Sequence, residues 1–216
     1  MFSVALFDFD GTLAQTDTLH LACWNRVLNR YEIRLTEDFY ITYCVGVLSP
    51  KVAALIKQNY PMIEESVEEI ANLKDQFFSD FIQTNRVPIL PGVREILDLL
   101  KRNRFKLGIV SGLEESSISK ILYDQQLDSY FQIISSRENI ENGKPSPEGY
   151  LYALERFQVE GASAIAFEDT KSGVRAAKAA GIVTFAILQS QTRQHDLSSA
   201  DFICRDLFEA IKVLSS

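Results

Sequence analysis

The stretch that decides the fold is Val4-Ala5-Leu6-Phe7-Asp8-Phe9-Asp10-Gly11-Thr12-Leu13, near the start of the 216-residue chain. Its apolar first half predicts a short buried strand, and two carboxylates stand two residues apart where that strand ends. Because strand side chains alternate between faces, Asp8 and Asp10 can point the same way. Gly11 then permits a sharp turn, since glycine accepts φ values that other residues avoid. One carboxylate could hold a metal ion and attack a substrate while the other carries protons; the alternative is a pair of turn-forming residues after an edge strand.

The composition is that of an ordinary globular protein with an acidic balance. Hydrophobic residues make up 46% and charged residues 24%, and 22 basic against 29 acidic residues give a formal net charge of −7. These values exclude intrinsic disorder as the main state. A surface of that sign repels nucleic acid and anionic membranes, so we expect neither as a partner.

The N-terminal residues and the cysteines bear on location. Met1-Phe2-Ser3 lacks the basic region of a signal peptide, and the apolar run stops at Asp8. Cys23, Cys44 and Cys204 show no CxxC spacing and are typical of free, packed thiols in a reducing compartment. We therefore expect a cytoplasmic protein, and we expect a monomer or weak homodimer.

Short apolar runs alternate with helical patterns over most of the chain. Helical spacings of three and four recur between the runs, for example at Val93, Ile96, Leu97 and Leu100. This alternation predicts an α/β fold with a doubly wound, mostly parallel sheet that carries helices on both faces. The predicted strands are 3–9, 106–111, 131–135, 164–167, 184–188 and 201–204.

The stretch from residue 15 to residue 87 interrupts this alternation. No convincing strand lies there, and two helical stripes occupy it, namely Leu21, Trp24, Leu28 and Tyr31, and then Ile70, Leu73, Phe77 and Phe81. We predict a small all-helical domain at 15–87, inserted into an α/β core domain formed by 1–14 and 88–216. The two crossings, at 14–17 and 83–92, are predicted hinges.

Three further groups stand at predicted strand ends, where open parallel sheets bind ligands. Ser111-Gly112 could bind phosphate through a hydroxyl and free backbone N–H groups, or could simply cap a helix. Lys144 precedes Pro145 and Pro147, which restrict the backbone just before a helix. It could neutralise carboxylates and a phosphoryl group, or could be a solvated loop lysine. Glu168-Asp169 could complete an oxygen-ligand shell for Mg²⁺, or could cap the next helix.

Taken together, the acid pair, the Ser-Gly pair, the lysine and the second acid pair resemble the haloacid dehalogenase (HAD) superfamily in order and context. The chain is similar over essentially its whole length to the branch of β-phosphoglucomutases and phosphoglycolate phosphatases, which carries a helical cap. The resemblance implies a HAD-like Rossmannoid core. It also implies a Mg²⁺-dependent phosphatase that hydrolyses a sugar phosphate, polyol phosphate or phosphoglycolate through an aspartyl phosphate.

The resemblance further implies a role for each group. Asp8 would be the nucleophile, and Asp10 the general acid and then the general base. The implied phosphate-binding residues are Ser111, Gly112 and Lys144. The implied metal ligands are Asp8, Asp10 through its main-chain carbonyl, Asp169, and Glu168 in or next to the shell.

Two alternatives to a phosphatase stay open, a phosphomutase and a non-catalytic regulator that binds a phosphorylated metabolite. A β-phosphoglucomutase-like cap would carry Lys before Gly46 and Arg three residues after it, but this chain has Val45 and Ser49 there. Those missing cations favour hydrolysis, because a mutase must hold a bisphosphate. His20 could orient Asp10, although a surface position on a helix is the simpler interpretation.

Overall fold

Six parallel strands form the sheet of the computed structural model, which describes residues 2–190, 192 and 194–215. Their order across the sheet is β3-β2-β1-β4-β5-β6, and every neighbouring pair is parallel. The predicted sheet is confirmed, and each predicted strand ends within two residues of the observed one. The strands are β1 (Val4–Phe7), β2 (Lys106–Val110), β3 (Ile133–Ser135), β4 (Ala164–Glu168), β5 (Val183–Ile187) and β6 (Phe202–Cys204).

Helices cover both faces of this sheet, as the doubly wound prediction requires. The alternation within β1 shows the two layers. Ala5 and Phe7 share one apolar cluster with the helices at 93–102 and 115–124, while Val4 and Leu6 share another with the helices at 148–157 and 171–179. All four side chains are fully buried. The bounds of these helices are α5 (Val93–Arg102), α6 (Glu115–Asp124), α7 (Glu148–Phe157), α8 (Lys171–Ala179) and α9 (Leu207–Leu214).

Between β1 and β2 the chain forms the helical segment, residues 15–87, and no strand occurs among them. Its helices are α1 (Asp17–Leu28), α2 (Glu37–Tyr43), α3 (Ser49–Asn59) and α4 (Val67–Thr84). They enclose an apolar cluster of their own around Trp24, Leu28, Ile56 and Ile70. Across the described residues, no helix combines the length and the apolar character needed to cross a bilayer.

The buried face of α4 differs by about one residue from the predicted stripe. Phe81 is 41% exposed, whereas Phe78 and Ile82 are buried and Lys74 is only 4% exposed. Phe78 and Ile82 belong to the apolar cluster that contains Ala5 and Phe7, and not to the cluster of the helical segment. The apolar pattern gave the wrong register because a lysine occupies the middle of the face that packs inward.

Candidate active site

The carboxyl ends of β1, β2 and β4 meet at one edge of the sheet and bring the predicted groups together. Parallel register pairs Phe7 with Ile109 on one side and with Phe167 on the other. Asp8 continues this pairing, since its N–H donates to the carbonyl of Phe167 at 3.0 Å. Asp8 therefore lies level with Glu168, and both carboxylates are buried.

Lys144 lies between these two carboxylates. Its Nζ donates to Asp8 Oδ1, lies 2.5 Å from Glu168 Oε1, and donates to the carbonyl of Val110 at 3.1 Å. Burial opposes the charge on Lys144, but the charges of Asp8 and Glu168 outweigh burial and raise the pKa of the ammonium. The solvated-loop interpretation of Lys144 is therefore wrong. Tyr150 completes the arrangement by donating to Glu168 Oε1 at 2.6 Å.

Three carboxylates form a compact acidic cluster, in which one oxygen each from Asp8, Glu168 and Asp169 lies within 4.8 Å of the others. Asp8 Oδ2 and both oxygens of Asp169 are buried, and none accepts a hydrogen bond from a residue that the structure describes. Burial raises the pKa of Asp8 and of Asp169, and nearby carboxylates raise both further. Unpartnered buried carboxylates are costly, and oxygen ligands are the set that Mg²⁺ prefers. These residues therefore fit a divalent cation.

Gly11 is the residue that lets the loop after β1 pass so close to this cluster. Its φ is +76°, and a Cβ there would lie 2.4 Å from Asp169 Oδ2. The helix-capping interpretation of Glu168-Asp169 is wrong, because Thr170 caps α8 by accepting from the N–H of Gly173 at 3.0 Å.

Asp10 has a different environment from the acidic cluster. Its side chain accepts hydrogen bonds from Thr16 Oγ1 at 2.5 Å and Ser111 Oγ at 3.3 Å, and it lies 3.2 Å from His20 Nε2. Burial opposes ionisation of Asp10, but the contacts with His20 and Thr16 outweigh it and lower the pKa of Asp10. The surface interpretation of His20 is wrong, since His20 is buried and stacks on Phe78 at 4.4 Å.

Ser111 and Gly112 lie beside Asp10 at the end of β2. Ser111 is buried, its N–H donates to the carbonyl of Ser135 at 2.9 Å, and its Oγ accepts from the N–H of Leu113 at 3.1 Å. The plain helix-cap interpretation of Ser111 is wrong, because α6 begins at Glu115, four residues further on, and its N-cap is Glu114. The Ser111 hydroxyl instead donates a hydrogen bond to Asp10, the candidate general acid and base.

A cavity of about 100 Å³ lies between this edge of the sheet and the helical segment. Asp8, Asp10 and Lys144 line it from the sheet side. Asp17 and Lys74 line it from the helical segment, together with an aromatic and apolar wall that includes Trp24, Tyr40, Val45 and Leu48. The cavity can enclose a small ligand whose anionic end reaches Asp8 and Lys144.

Lys74 is a site residue that sequence reasoning missed. Its Nζ lies 3.1 Å from Asp75 Oδ1 and 3.3 Å from Ser49 Oγ, and 5.5 Å from the centre of the Phe78 ring. A signal existed, since Lys74 stands four residues from both Ile70 and Phe78, on the buried face of α4. A lysine on such a face needs a buried partner or a ligand.

Two further contacts join the helical segment to the loops beside the cavity. Leu48 fills the space beside two glycines, because a Cβ would lie 2.7 Å from its side chain at Gly112 and 2.6 Å at Gly143. Asp75 accepts from Arg137 at 2.5 Å, and Arg137 also donates to Glu114 at 2.5 Å. One apolar contact and one ionic chain thus join α3 and α4 to the loops beside the cavity.

Comparison with known proteins places this geometry among related enzymes. A family model described as haloacid dehalogenase-like hydrolase matches residues 5–187. A phosphorylated carbohydrates phosphatase from Thermotoga maritima is 33% identical over 82% of this chain and 81% of its own. A validoxylamine A 7'-phosphate phosphatase from Streptomyces hygroscopicus subsp. limoneus is 30% identical over 97% of this chain and 96% of its own. The solved structure of CbbY from Rhodobacter sphaeroides in complex with phosphate has the same fold, with a TM-score of 0.88 at 23% identity, covering 97% of this chain and 96% of that chain.

Proposed function

The chain belongs to the haloacid dehalogenase-like hydrolase family and is a phosphoric monoester hydrolase; on that premise we propose that it hydrolyses a small phosphorylated metabolite through an aspartyl phosphate on Asp8, with Mg²⁺ bound. The substrate class that we propose is a sugar phosphate, polyol phosphate or phosphoglycolate. The observation that supports this most is Lys144, which bridges Asp8 and Glu168. It lies beside oxygens of Asp8 and Asp169 that accept no hydrogen bond from the described part of the chain.

In the first step, a carboxylate oxygen of Asp8 attacks phosphorus and the bond from phosphorus to the ester oxygen breaks. Asp10 gives its proton to the departing oxygen. Lys144 and the hydroxyl of Ser111 hold the transferring group, because an anionic nucleophile approaches an anionic phosphate only where positive charge and hydrogen-bond donors face both. Gly112 lines the cavity, and we propose that its main chain binds the same oxygens.

In the second step, Asp10 takes a proton from water, the water oxygen attacks phosphorus, and inorganic phosphate leaves with Asp8 restored. The hydrogen bonds from Thr16 and Ser111 and the contact with His20 favour ionised Asp10, the form that this step requires. For the first step Asp10 must be protonated, and we expect the negative charge of an entering phosphate to raise its pKa.

The residues that would hold the metal are Asp8, the main-chain carbonyl of Asp10, and Asp169, with Glu168 in or next to the shell. When bound, Mg²⁺ supplies positive charge to the phosphoryl oxygens. Glu168 also positions Lys144, since one of its oxygens already lies against that ammonium and the Tyr150 hydroxyl.

We also propose that residues 15–87 act as a cap domain, which closes over a core domain formed by 1–14 and 88–216. The contact of Leu48 with Gly112 and Gly143 and the Asp75–Arg137 ion pair support this arrangement. Closure would keep bulk water from the phosphoryl group during the first step.

The three cysteines support a proposed location in the cytoplasm. All are free and buried, and burial raises the pKa of Cys23 to about 11 and of Cys44 to about 12. Thiols in this state are unreactive and do not require an oxidising compartment.

Asp8→Asn tests the proposal. The carboxylate nucleophile is then absent, so we expect turnover of p-nitrophenyl phosphate to fall on the order of a thousandfold or more. Asp128→Asn is the matched control and should retain wild-type rates, because Asp128 is an exposed acid in the short 3₁₀ helix Asp128–Tyr130. Quenched wild-type reactions should yield phosphorylated Asp8 in mass spectrometry, and near-wild-type turnover by Asp8→Asn would end the covalent mechanism.

Assays with sugar monophosphates separate the proposal from its alternatives. A phosphatase releases inorganic phosphate, a phosphomutase isomerises the substrate, and a regulator does neither. Hydrolysis is favoured because Val45 and Ser49 leave the helical segment without the two cations that would clamp a second phosphate. Lys74 does line the cavity, but its charge is already paired with Asp75.

A further inference from the structure

Asp17, the first residue of α1, is a cavity-lining carboxylate that the proposed mechanism does not use. It is 9% exposed, and its Oδ2 lies 3.2 Å from the position that a Cβ on Gly11 would take. No hydrogen bond or ion pair joins the Asp17 carboxylate to any residue that the structure describes. Burial, and then the charge of Asp10, raise the pKa of Asp17 to about 7. Because Asp17 lines the cavity, solvent or a ligand there can donate a hydrogen bond to it.

The cations of the cavity do not supply that donor. Lys144 is engaged by Asp8 and Glu168, and Lys74 is engaged by Asp75 and Ser49. Asp17 is therefore the charged residue of the helical segment that faces the cavity without a partner among the described residues. Its charge is negative. A second anionic group on the ligand would meet this charge in a buried setting, where like charges repel strongly.

The surroundings of Asp17 are otherwise suited to the carbon skeleton of a ligand. Trp24 and Val45 line the same cavity and present apolar surface. Tyr40 lines the same cavity as Asp17. Burial and then the Asp17 charge raise the pKa of its phenol. One carboxylate acceptor and one phenol within an apolar wall is a typical arrangement for recognition of hydroxyl groups.

We propose that Asp17 is a specificity-determining residue, which accepts a hydrogen bond from a hydroxyl group on the organic part of the substrate and rejects substrates with a carboxylate or second phosphate there. The inference rests on the proposed phosphatase activity and narrows its substrate class. Sugar and polyol monophosphates are accepted, and phosphoglycolate and sugar bisphosphates are disfavoured. A site built to bind a hydroxyl discriminates strongly because its own polar group is left unpaired by the wrong ligand.

The experiment compares two substrates that differ at one carbon. Glycerol 3-phosphate carries a hydroxyl where 3-phosphoglycerate carries a carboxylate, and p-nitrophenyl phosphate serves as the reference. At about pH 8, above the pKa of Asp17, we expect the wild type to favour glycerol 3-phosphate by about tenfold or more in kcat/KM. In Asp17→Asn this ratio should fall about tenfold, while Asp38→Asn, an exposed acid on α2, should leave it unchanged.

The possible outcomes separate the two proposals. Failure of the wild type to hydrolyse p-nitrophenyl phosphate would overturn the phosphatase itself. Wild-type hydrolysis with an unchanged substrate ratio in Asp17→Asn would overturn only the role of Asp17. A raised Mg²⁺ requirement in Asp17→Asn with an unchanged ratio would also overturn it, because Asp17 would then serve the neighbouring metal cluster. If Asp17→Asn does not fold, the inhibition constants of the two ligands against wild-type turnover of p-nitrophenyl phosphate give the same answer, and equal constants contradict the proposal.

Discussion

The edge of the sheet and the helical segment line the same cavity by different physical means. At the sheet edge, strand register places Asp8 beside Glu168, and the lysine between them is bound on both sides. In the helical segment, side chains reach the cavity from all four helices and from the loop before α3. The segment contacts the sheet side through His20, Leu48 and Asp75, and through the buried side chains of Phe78 and Ile82. The first region is fixed by backbone hydrogen bonds, whereas the second is held by side-chain contacts.

Under the proposed closure of the helical segment, the two regions have different tasks. Groups that must keep their geometry during bond breaking belong on a rigid sheet, where neighbouring strands fix their separation. Groups that select a substrate can lie on a movable element, because they act only when that element is closed. Changes at the sheet edge should therefore affect rate and metal binding most, and changes in the helical segment should affect substrate affinity and choice.

After Asp8→Asn, the largest effect is expected from Asp169→Asn at the sheet edge. In the wild type, Mg²⁺ at about 100 times its dissociation constant should stabilise the folded state by about 2.7 kcal/mol, and the variant should lose most of this. Turnover should fall on the order of a hundredfold. Denaturant unfolding with and without Mg²⁺ measures the first effect, and Asp128→Asn is the control. Equal stabilisation of Asp169→Asn and wild type by Mg²⁺ would remove Asp169 from the metal site.

Asp169→Asn should also change how the stability of the metal-free protein depends on pH. Because burial raises the pKa of Asp169, the folded protein holds a proton at pH values where the unfolded chain has lost it. Stability from this group is full below about pH 4, the ordinary range for Asp, and declines as the pH rises toward the raised value. Metal-free wild type should therefore lose stability with rising pH more steeply than Asp169→Asn. Parallel curves would contradict the assignment.

An intermediate effect is expected from Gly143→Ala, which acts where the two regions touch. The added methyl group would lie 2.6 Å from Leu48 Cδ1 and 2.7 Å from its Cγ, so the closed arrangement must shift. Overpacking of this kind costs about 1–3 kcal/mol, and we expect about a tenfold loss of kcat/KM. Adding Leu48→Ala to Gly143→Ala should restore much of the loss, because the space is returned. A double variant no better than the single one would show that Leu48 is not the obstacle.

The smallest effect is expected from Arg137→Gln, which removes the ionic chain to Asp75 and Glu114. The Arg137 side chain is 30% exposed, and exposed pairs contribute less than about 1 kcal/mol. We expect KM for p-nitrophenyl phosphate to rise about threefold, with a smaller change in kcat and in the free energy of unfolding. Arg102→Gln on the far helix α5 is the control. A large drop in kcat with unchanged KM would place Arg137 in the chemistry instead.

The sequence predicted the sheet and its charged edge well because both are encoded locally. Apolar runs of strand length mark the strands, and polar groups directly after them must lie at the carboxyl edge of a parallel sheet. Asp8, Ser111 and Asp169 follow this rule, and the structure brings them together. Their chemical roles stay predictions.

The helical segment was less predictable because its function depends on how helices pack. Lys74 interrupts the apolar stripe that identified α4, so the periodicity favoured Phe81 over Phe78. The Asp75–Arg137 pair joins residues far apart in the chain, and no local pattern announces it. The burial of Asp17 depends on the turn at Gly11, whose tightness is visible only in three dimensions.

Asp10 is bonded across the boundary between the two regions, since its carboxylate accepts from Thr16 and lies against His20 on one side and accepts from Ser111 on the other. If the helical segment swings away, the carboxylate exchanges those neighbours for solvent and its proton affinity changes with it. Opening of the helical segment and the change in the protonation of Asp10 would then occur together. Each cycle of opening would reset the group that the next turnover needs.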